Sequence, residues 1–245
     1  MLAVLGGSGL AQLSSLEGVR RTTVQTPYGE PSAALSFGRI RGREVMFLAR
    51  HGDGHTIAPH QVNYRANIRA IKDAGAKQIV AIASVGGIRR EFGPGALVLP
   101  HQIIDYTWGR PSTFFEAAGM PVTHIDFTEP YSATLRQRIL AAAQACGEAL
   151  AARGVYAATQ GPRLESAAEI DRLERDGADL VGMTGMPEAA LAREAGLEYA
   201  AIAVVANHAA GRGESAHSIS LARIDAVLAQ AMGRVRRILE QLAAG

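Results

Sequence analysis

Short apolar runs alternate along the chain with stretches in which apolar residues recur every three or four positions. Runs of four to eight apolar residues are typical of buried strands, and the spaced pattern is typical of amphipathic helices. The runs that predict strands are LAVLG, EVMFLA, QIVAIASV, ALVLP, GVYAAT, DLVGM and YAAIAVVA. This alternation predicts an α/β fold, a three-layer α/β/α sandwich with a mixed, largely parallel central sheet.

Helical patterns lie between these runs. HQVNYRANIRAIKDAG and PEAALAREAG each end in a glycine suited to a left-handed cap, and Pro187 stands where a first-turn proline is tolerated. The segment from about Ser220 carries apolar residues at helical spacing and predicts a long closing helix. Residues 105–130 are irregular but too aromatic for a solvated linker, so we expect this segment to pack against another surface.

Composition and charge favour one globular domain and argue against nucleic-acid-binding, membrane and disulfide-rich proteins. The 245 residues are 48% hydrophobic, which suits one domain spanning residues 1–245. The formal net charge of +2 argues against a nucleic-acid or membrane partner, and no apolar run approaches the roughly 18 residues of a membrane helix. Cys146 is the lone cysteine, so no disulfide framework is expected and a cytosolic location is favoured. The opening MLAVLGG lacks a basic leader and is not expected to be a signal peptide.

Two segments that follow strands could bind an anion. The stretch LGGSGL offers backbone amides and the hydroxyl of Ser8, although a plain tight turn explains it equally well. In LARHG, Arg50 and His51 leave a strand together and could hold an oxyanion from two directions. A metal site that includes His55 is disfavoured because the intervening glycines break a helix, and His55 and His60 receive no role.

Three further polar residues have alternative explanations. Thr184, between a strand and a helix, could face a phosphate or simply cap the helix. Glu165 could accept a hydrogen bond from a ligand N–H or stabilise a helix N-terminus. Asn207 ends the apolar run AIAVVAN, and it could read a ligand or begin a turn.

Taken in order, the motifs resemble the trimeric class of purine nucleoside phosphorylases and methylthioadenosine phosphorylases. The resemblance rests on GGSGL, ARHG with HQVNYRANI, SVGGI, THIDFTEPY, TQGPRLES, VGMTGMPE with ALARE, and VVAN, and it spans nearly the whole chain. It implies that phosphate attacks the anomeric carbon of a nucleoside through a transition state with oxocarbenium character. It also implies that no metal or organic cofactor is needed, since inorganic phosphate is a co-substrate.

The resemblance further assigns expected roles to residues of this chain. Arg50, His51 and Asn207 are expected to be catalytic. The phosphate shell is expected to comprise Ser8, Arg50, His51, Ser84 and Thr184. Met183 is expected to pack beside the sugar, with Leu164 also in contact with the substrate. His124 resembles a segment that a second subunit lends to the site, so a homotrimer with a shared site is implied.

The residues that would contact the base depart from methylthioadenosine phosphorylases. Those enzymes carry aspartates where this chain has Asn207 and Ala209, and a small hydroxyl residue in place of Glu165. Asparagine can donate to a 6-oxo group and accept from a ring N–H, whereas an ionised aspartate can only accept. Glu165 could accept the ring N1–H that hypoxanthine and guanine possess. These departures predict a 6-oxopurine base.

The 5′ end of the nucleoside is expected to meet the start of the last helix. Inosine and guanosine phosphorylases of this class place a histidine there, and the count along SLARIDAVLAQAM puts Leu221 at that position, with Ile224 one turn on. Both residues are apolar and would suit a methylthio group. Two alternatives stay open: both could be core residues of an amphipathic helix, or His217 could be the partner of a 5′-hydroxyl.

Together these features predict phosphorolysis of methylthioinosine to hypoxanthine and methylthioribose 1-phosphate, in the salvage of methylthioadenosine after its deamination. The alternatives within the family are a methylthioadenosine phosphorylase of relaxed specificity and an inosine/guanosine phosphorylase. Outside it, a non-catalytic dinucleotide binder is disfavoured, because GGSGL lacks the G-x-G-x-x-G spacing.

Overall fold

The computed structural model describes residues 1–10, 13–116, 118–119 and 121–245. Over these residues ten strands form one sheet. They are β1 Leu2–Gly6, β2 Glu17–Thr22, β3 Leu35–Ile40, β4 Arg43–Ala49, β5 Gln78–Gly87, β6 Leu97–Val98, β7 Gln102–Asp105, β8 Val155–Ala158, β9 Leu180–Gly182 and β10 Glu198–His208. Every strand predicted from an apolar run is present, and β2, β3 and β7 add to them.

Strand β5 lies at the centre of the sheet. It runs parallel to β1 and β10, and β1 is in turn parallel to β4. The strands β2–β3–β4 are joined antiparallel at one side, and β7, β8 and β9 run parallel to one another at the other side. The sheet is therefore mixed and largely parallel, as predicted. Strands β1, β4, β5 and β10 share one direction, whereas β9 pairs antiparallel with the end of β5. The carboxyl ends of the first four strands lie at one edge, which is where open α/β sheets place their ligands.

Five α-helices cover the sheet over the described residues. They are α1 Tyr64–Asp73, α2 Ala133–Ala145, α3 Ala167–Arg175, α4 Gly185–Glu194 and α5 Leu221–Ala244. Helices α1 and α4 contact each other, and so do α2 and α5. Within the described chain, no helix has the length and apolar character needed to span a membrane.

Alternation along β5 shows how the layers form. Ile79 and Ala83 belong to an apolar cluster that includes residues of α1 and α4. Val80 and Ile82 point the other way, into a cluster with residues of α2 and α5. Because successive side chains of a strand alternate between faces, an uninterrupted apolar run requires cover on both sides. This arrangement confirms the predicted three-layer α/β/α sandwich.

The irregular segment 105–130 does pack against the body of the protein. Phe114 packs against the apolar cluster that includes Ile79 and residues of α1 and α4, and its ring centroid lies 5.1 Å from that of Tyr28. Arg110 is buried, whereas Trp108 is 72% exposed. Residues 117 and 120 of the segment lie outside the described residues.

Candidate active site

One cavity of about 830 Å³ opens at the carboxyl edge of the sheet. Most of the residues predicted to form a site line it. They are Ser8, Arg50, His51, Ser84, Leu164, Glu165, Met183, Thr184, Asn207 and Ile224. They come together because most of them follow a strand or lie near its end. The exceptions are Ser84 within β5, Ile224 on α5 and the pair at 164–165 before α3.

The glycine loop after β1 is both a tight turn and part of the cavity wall. The amide of Leu10 donates to the carbonyl of Gly7 at 3.0 Å, which closes the turn. A Cβ atom at Gly7 would lie 2.4 Å from the carbonyl oxygen of Ile82 and 2.9 Å from Nη1 of Arg50. Only glycine permits this approach, which brings Ser8 to the cavity beside the Arg50 side chain.

Arg50 is held by a carboxylate that the sequence reasoning missed. Its Nε donates to Oε2 of Glu188 at 2.6 Å and its Nη2 to Oε1 at 2.8 Å, while Nη1 donates to the carbonyl of Ile82 at 3.0 Å. Both side chains of the pair are 1% exposed. The Nε and Nη2 donors of Arg50 therefore face Glu188 and not the cavity ligand, so Arg50 could hold an oxyanion only through its remaining donors. Of the five guanidinium N–H groups, one on each terminal nitrogen stays available to a ligand.

The environment of Arg50 keeps it charged. Burial disfavours the charged form, yet the charge of Glu188 and its hydrogen bonds together raise the pKa of Arg50 above the ordinary value. Glu188 also accepts a hydrogen bond from the hydroxyl of Tyr199 at 2.7 Å. The partners Arg50 and Glu188 are 138 positions apart, so no local pattern in PEAALARE could reveal their contact.

His51 is a neutral acceptor. Its Nδ1 lies 2.8 Å from the carbonyl of Ile57, and because a carbonyl can only accept, Nδ1 carries the proton. Burial, aided by the charge of Arg50, lowers the pKa of His51 to about 4. At neutral pH, Nε2 of His51 therefore presents a lone pair and not a second positive charge. Such a group can accept a hydrogen bond from the protonated oxygen of monohydrogen phosphate.

His55 lines the same cavity, although no role was predicted for it. Its ring centroid lies 4.6 Å from that of His51, and its Nε2 lies 3.4 Å from Oγ of Ser8. His60 lies outside the residues that line the cavity. Among the described residues, no group of three or more His, Cys, Asp or Glu side chains is arranged to hold a metal ion.

Thr184 lies at the cavity and is 8% exposed. Its side chain makes no capping hydrogen bond among the described residues, so the capping alternative does not describe it. Met186, with φ −121° and ψ 140°, interrupts the start of α4, and regular helix follows from Pro187. Thr184 is therefore presented by a loop and not by a helical first turn.

Glu165 and Asn207 retain hydrogen-bonding capacity toward the cavity. Helix α3 is capped by Ser166 and Glu169, so Glu165 lies before the helix and does not stabilise its first turn. The hydroxyl of Thr159 donates to Oε1 of Glu165 at 2.6 Å and orients the carboxylate. The Nδ2 of Asn207 donates to the backbone carbonyl of His208 at 2.6 Å, which leaves a second N–H and the side-chain oxygen.

An apolar wall closes the cavity on the side of α5. The residues that form it are Ile219, Ile224, Leu228 and Ala229, and Asp225 lies among them. Leu221 does not belong to this wall: it is 68% exposed and lies outside the lining. Because α5 begins at Leu221, residues one turn further along reach the cavity instead, and Ile219 of the preceding loop was missed. His217 is also exposed and lies outside the lining.

Of the remaining predicted residues, Met183 and Leu164 line the cavity, and Leu164 is 40% exposed. His124 is exposed and does not reach the cavity of its own chain. Its expected contribution to a neighbouring subunit stays a prediction.

Comparison with known proteins agrees with this arrangement. Residues 1–244 match the model of the family described as the phosphorylase superfamily. The "Probable S-methyl-5'-thioinosine phosphorylase" of Xanthomonas campestris pv. campestris is 53% identical over 244 residues, which cover 100% of this chain and 97% of the relative. The "6-oxopurine nucleoside phosphorylase" of Pyrococcus furiosus is 46% identical, over 86% of this chain and 80% of the relative.

A solved structure has the same fold. The methylthioadenosine phosphorylase from Schistosoma mansoni in complex with adenine superposes with a TM-score of 0.95. Its sequence is 32% identical, and the match covers 99% of this chain and 90% of that one. The similarity therefore extends over the whole sheet and the helices that surround the cavity.

Proposed function

The chain belongs to the phosphorylase superfamily, and we propose that it cleaves S-methyl-5′-thioinosine with inorganic phosphate to give hypoxanthine and 5-methylthioribose 1-phosphate. One observation carries the proposal: a single cavity combines the Asn207 amide, the Glu165 carboxylate and an apolar wall around Ile224. The name of the Xanthomonas relative agrees with this substrate. No metal or organic cofactor takes part in the proposed reaction.

The phosphate nucleophile is assigned to the side of the cavity formed by the glycine loop. The hydroxyls of Ser8, Ser84 and Thr184 are neutral donors, and Arg50 supplies the two N–H groups that Glu188 and the carbonyl of Ile82 leave available. Nε2 of neutral His51 accepts a hydrogen bond from the hydroxyl of monohydrogen phosphate, which orients the anion without adding charge. Such directed contacts hold the nucleophile in place near the sugar carbon that becomes cationic in the transition state.

The purine is assigned to Asn207 and Glu165. As the glycosidic bond breaks, electron density moves onto the purine, and the free N–H of the asparagine amide stabilises it at the 6-oxo group. The amide oxygen accepts from protonated N7, and Glu165, fixed by Thr159, accepts from N1–H. Ala209 lines the cavity with a methyl group, so it offers no acceptor to a 6-amino group.

The 5′-methylthio group is assigned to the wall formed by Ile219, Ile224 and Leu228. Burial of a thioether against these side chains is favourable in proportion to the apolar area removed from water. A hydroxyl packed against Ile219, Ile224 and Leu228 would lose hydrogen bonds to water without gaining any from these three side chains.

Asp225 supports a second candidate substrate. Its carboxylate lies in the same wall and could accept a hydrogen bond from the 5′-hydroxyl of inosine. Cleavage of inosine would make the protein a 6-oxopurine nucleoside phosphorylase, the name of the Pyrococcus relative. We rank it second because the carboxylate stands alone among apolar neighbours.

The site is proposed to be completed by a second copy of the chain. Part of the segment 105–130 is exposed, including Trp108 and His124. In a homotrimer, His124 would reach the sugar or 5′ side of the neighbouring cavity. A cytosolic location also stays a prediction.

Steady-state kinetics test the proposal. Rates would be measured for methylthioinosine, methylthioadenosine and inosine at one fixed phosphate concentration, and with phosphate omitted. We expect phosphate-dependent release of base, with the largest kcat/KM for methylthioinosine. A preference for inosine would favour the second candidate, and nucleoside binding without turnover would remove the enzyme assignment altogether.

A further inference from the structure

Arg110 is a buried cation that no step of the proposed reaction uses. It comes from the irregular segment after β7 and is 8% exposed. Its guanidinium makes six hydrogen bonds, to Gln160 Oε1 at 3.1 Å, Tyr64 OH at 3.3 Å, and the carbonyls of Met183 at 2.9 Å, Met186 at 2.6 Å, Thr159 at 3.2 Å and Gln160 at 2.8 Å. Among the described residues, no carboxylate lies within salt-bridge distance of it.

Five of these six acceptors belong to the two segments that form neighbouring walls of the cavity, and the sixth, the hydroxyl of Tyr64, lies on α1. The first loop follows β9 and carries Met183 and Thr184, which are assigned to the sugar and the phosphate. The second follows β8 and runs through Thr159 toward Glu165, which is assigned to the base. Arg110 donates to both loops, with Nη1 to the first and Nη2 to the second.

The planar guanidinium of Arg110 holds these two loops at a fixed position relative to each other. Its donors diverge in one rigid plane, so both sets of carbonyls must lie in that plane at hydrogen-bonding distance. An ammonium group has three donors on a flexible stem and cannot reach the same set. Without the guanidinium, the part-buried carbonyls of Thr159, Gln160 and Met183 and the buried carbonyl of Met186 would lose this partner, and the loops would move to satisfy them.

We propose that Arg110 is a positioning residue that sets the distance between the base-binding and the phosphate-binding walls of the cavity. The inference rests on the proposed function, because that function assigns one wall to the purine base and the other to phosphate. Misplacement of a substrate by about 1 Å can cost about a hundredfold in rate.

The test compares Arg110→Lys with the exposed control Arg69→Lys. Arg69 pairs with Asp73 on the surface of α1, so its replacement should leave all kinetic constants unchanged. For Arg110→Lys we expect the KM for phosphate and the KM for nucleoside each to rise about threefold to tenfold, and kcat to fall. A role in folding alone would reduce the active fraction and hence kcat, but would leave both KM values at the wild-type level.

A second variant keeps the inference testable if Arg110→Lys does not fold. Gln160→Ala removes the side-chain acceptor of Arg110 Nε and leaves the arginine in place, so a smaller rise in both KM values is expected. Wild-type KM values in Arg110→Lys, or in Gln160→Ala where the lysine variant does not fold, would overturn the inference. All variants are assayed with the nucleoside that the wild type cleaves fastest. A wrong assignment of the substrate is therefore detected in the wild type and does not affect the comparison of KM values among the variants.

Discussion

Glu188→Gln isolates the contribution of the buried ion pair beneath the cavity. The substitution keeps the shape of the side chain and removes its charge, which leaves Arg50 as a buried cation without a counter-ion. Loss of one partner from a buried pair costs about 3–5 kcal/mol of unfolding free energy. For a chain of 245 residues, each kcal/mol corresponds to about 2–4 °C, so we expect Tm to fall by about 6–20 °C.

The chain supplies a matched control for this prediction. Asp53 accepts two hydrogen bonds from Arg21, at 2.7 and 2.6 Å, with side chains 61% and 49% exposed respectively. Exposed pairs of this kind contribute about 0–1 kcal/mol, so Asp53→Asn should lower Tm by less than about 4 °C. Both variants would be compared with the wild type by scanning calorimetry at pH 7 and at several scan rates. A loss in Glu188→Gln no larger than that in Asp53→Asn would refute the reasoning from burial.

Three further predictions concern the side chains that face the ligands. Asn207→Asp should raise the kcat/KM ratio of methylthioadenosine to methylthioinosine by about tenfold to a hundredfold, because a carboxylate cannot donate to a 6-oxo group; an unchanged ratio would remove Asn207 as the reader of the base. Thr159→Val should raise the KM for nucleoside severalfold without changing the KM for phosphate, because it removes the hydrogen bond that orients the Glu165 carboxylate. An equal rise in both KM values would contradict this prediction. Because the pKa of His51 is lowered to about 4 from 6.5, unfolded chains bind a proton over this interval that folded chains do not. The free energy of unfolding should therefore fall as pH drops from about 6.5 to about 4, and it should fall less steeply in His51→Gln. Chemical denaturation at several pH values measures both slopes, and equal slopes in the wild type and the variant would contradict the prediction.

The central strands could be predicted because their signal is local. The runs that became β5 and β10 are buried on both faces, so they are apolar at nearly every position. Strand β2 shows the reverse case: EGVRRT is exposed almost throughout and pairs only with β3 at the side of the sheet. No hydrophobic pattern marks such a strand, since its backbone pairing and not its side chains defines it.

The site was predictable where a residue follows a strand. Arg50, Thr184 and Asn207 all stand just after or at the end of an apolar run, and the topology of the sheet brings them to one edge. Residues that act through a distant partner left no such signal. Glu188 and Arg110 each bond to groups more than forty positions away, so only the folded chain reveals them.

The wall near the 5′ group shows a different limit. Counting along the chain from Asn207 led to Leu221, but the loop before α5 determines where the helix begins, and its length cannot be read from periodicity. The structure places Ile219 and Ile224 at the cavity and leaves Leu221 exposed. The apolar character expected of the wall is nevertheless what these residues supply.

Direct competition between substrates tests the proposed preference for methylthioinosine. Equal concentrations of methylthioinosine, methylthioadenosine and inosine would be incubated together with the enzyme and phosphate, and the loss of each nucleoside followed by chromatography. The ratios of the initial rates equal the ratios of kcat/KM. We expect methylthioinosine to disappear at least about tenfold faster than either competitor, a difference of about 1.4 kcal/mol in transition-state binding. Faster loss of inosine or of methylthioadenosine would contradict it.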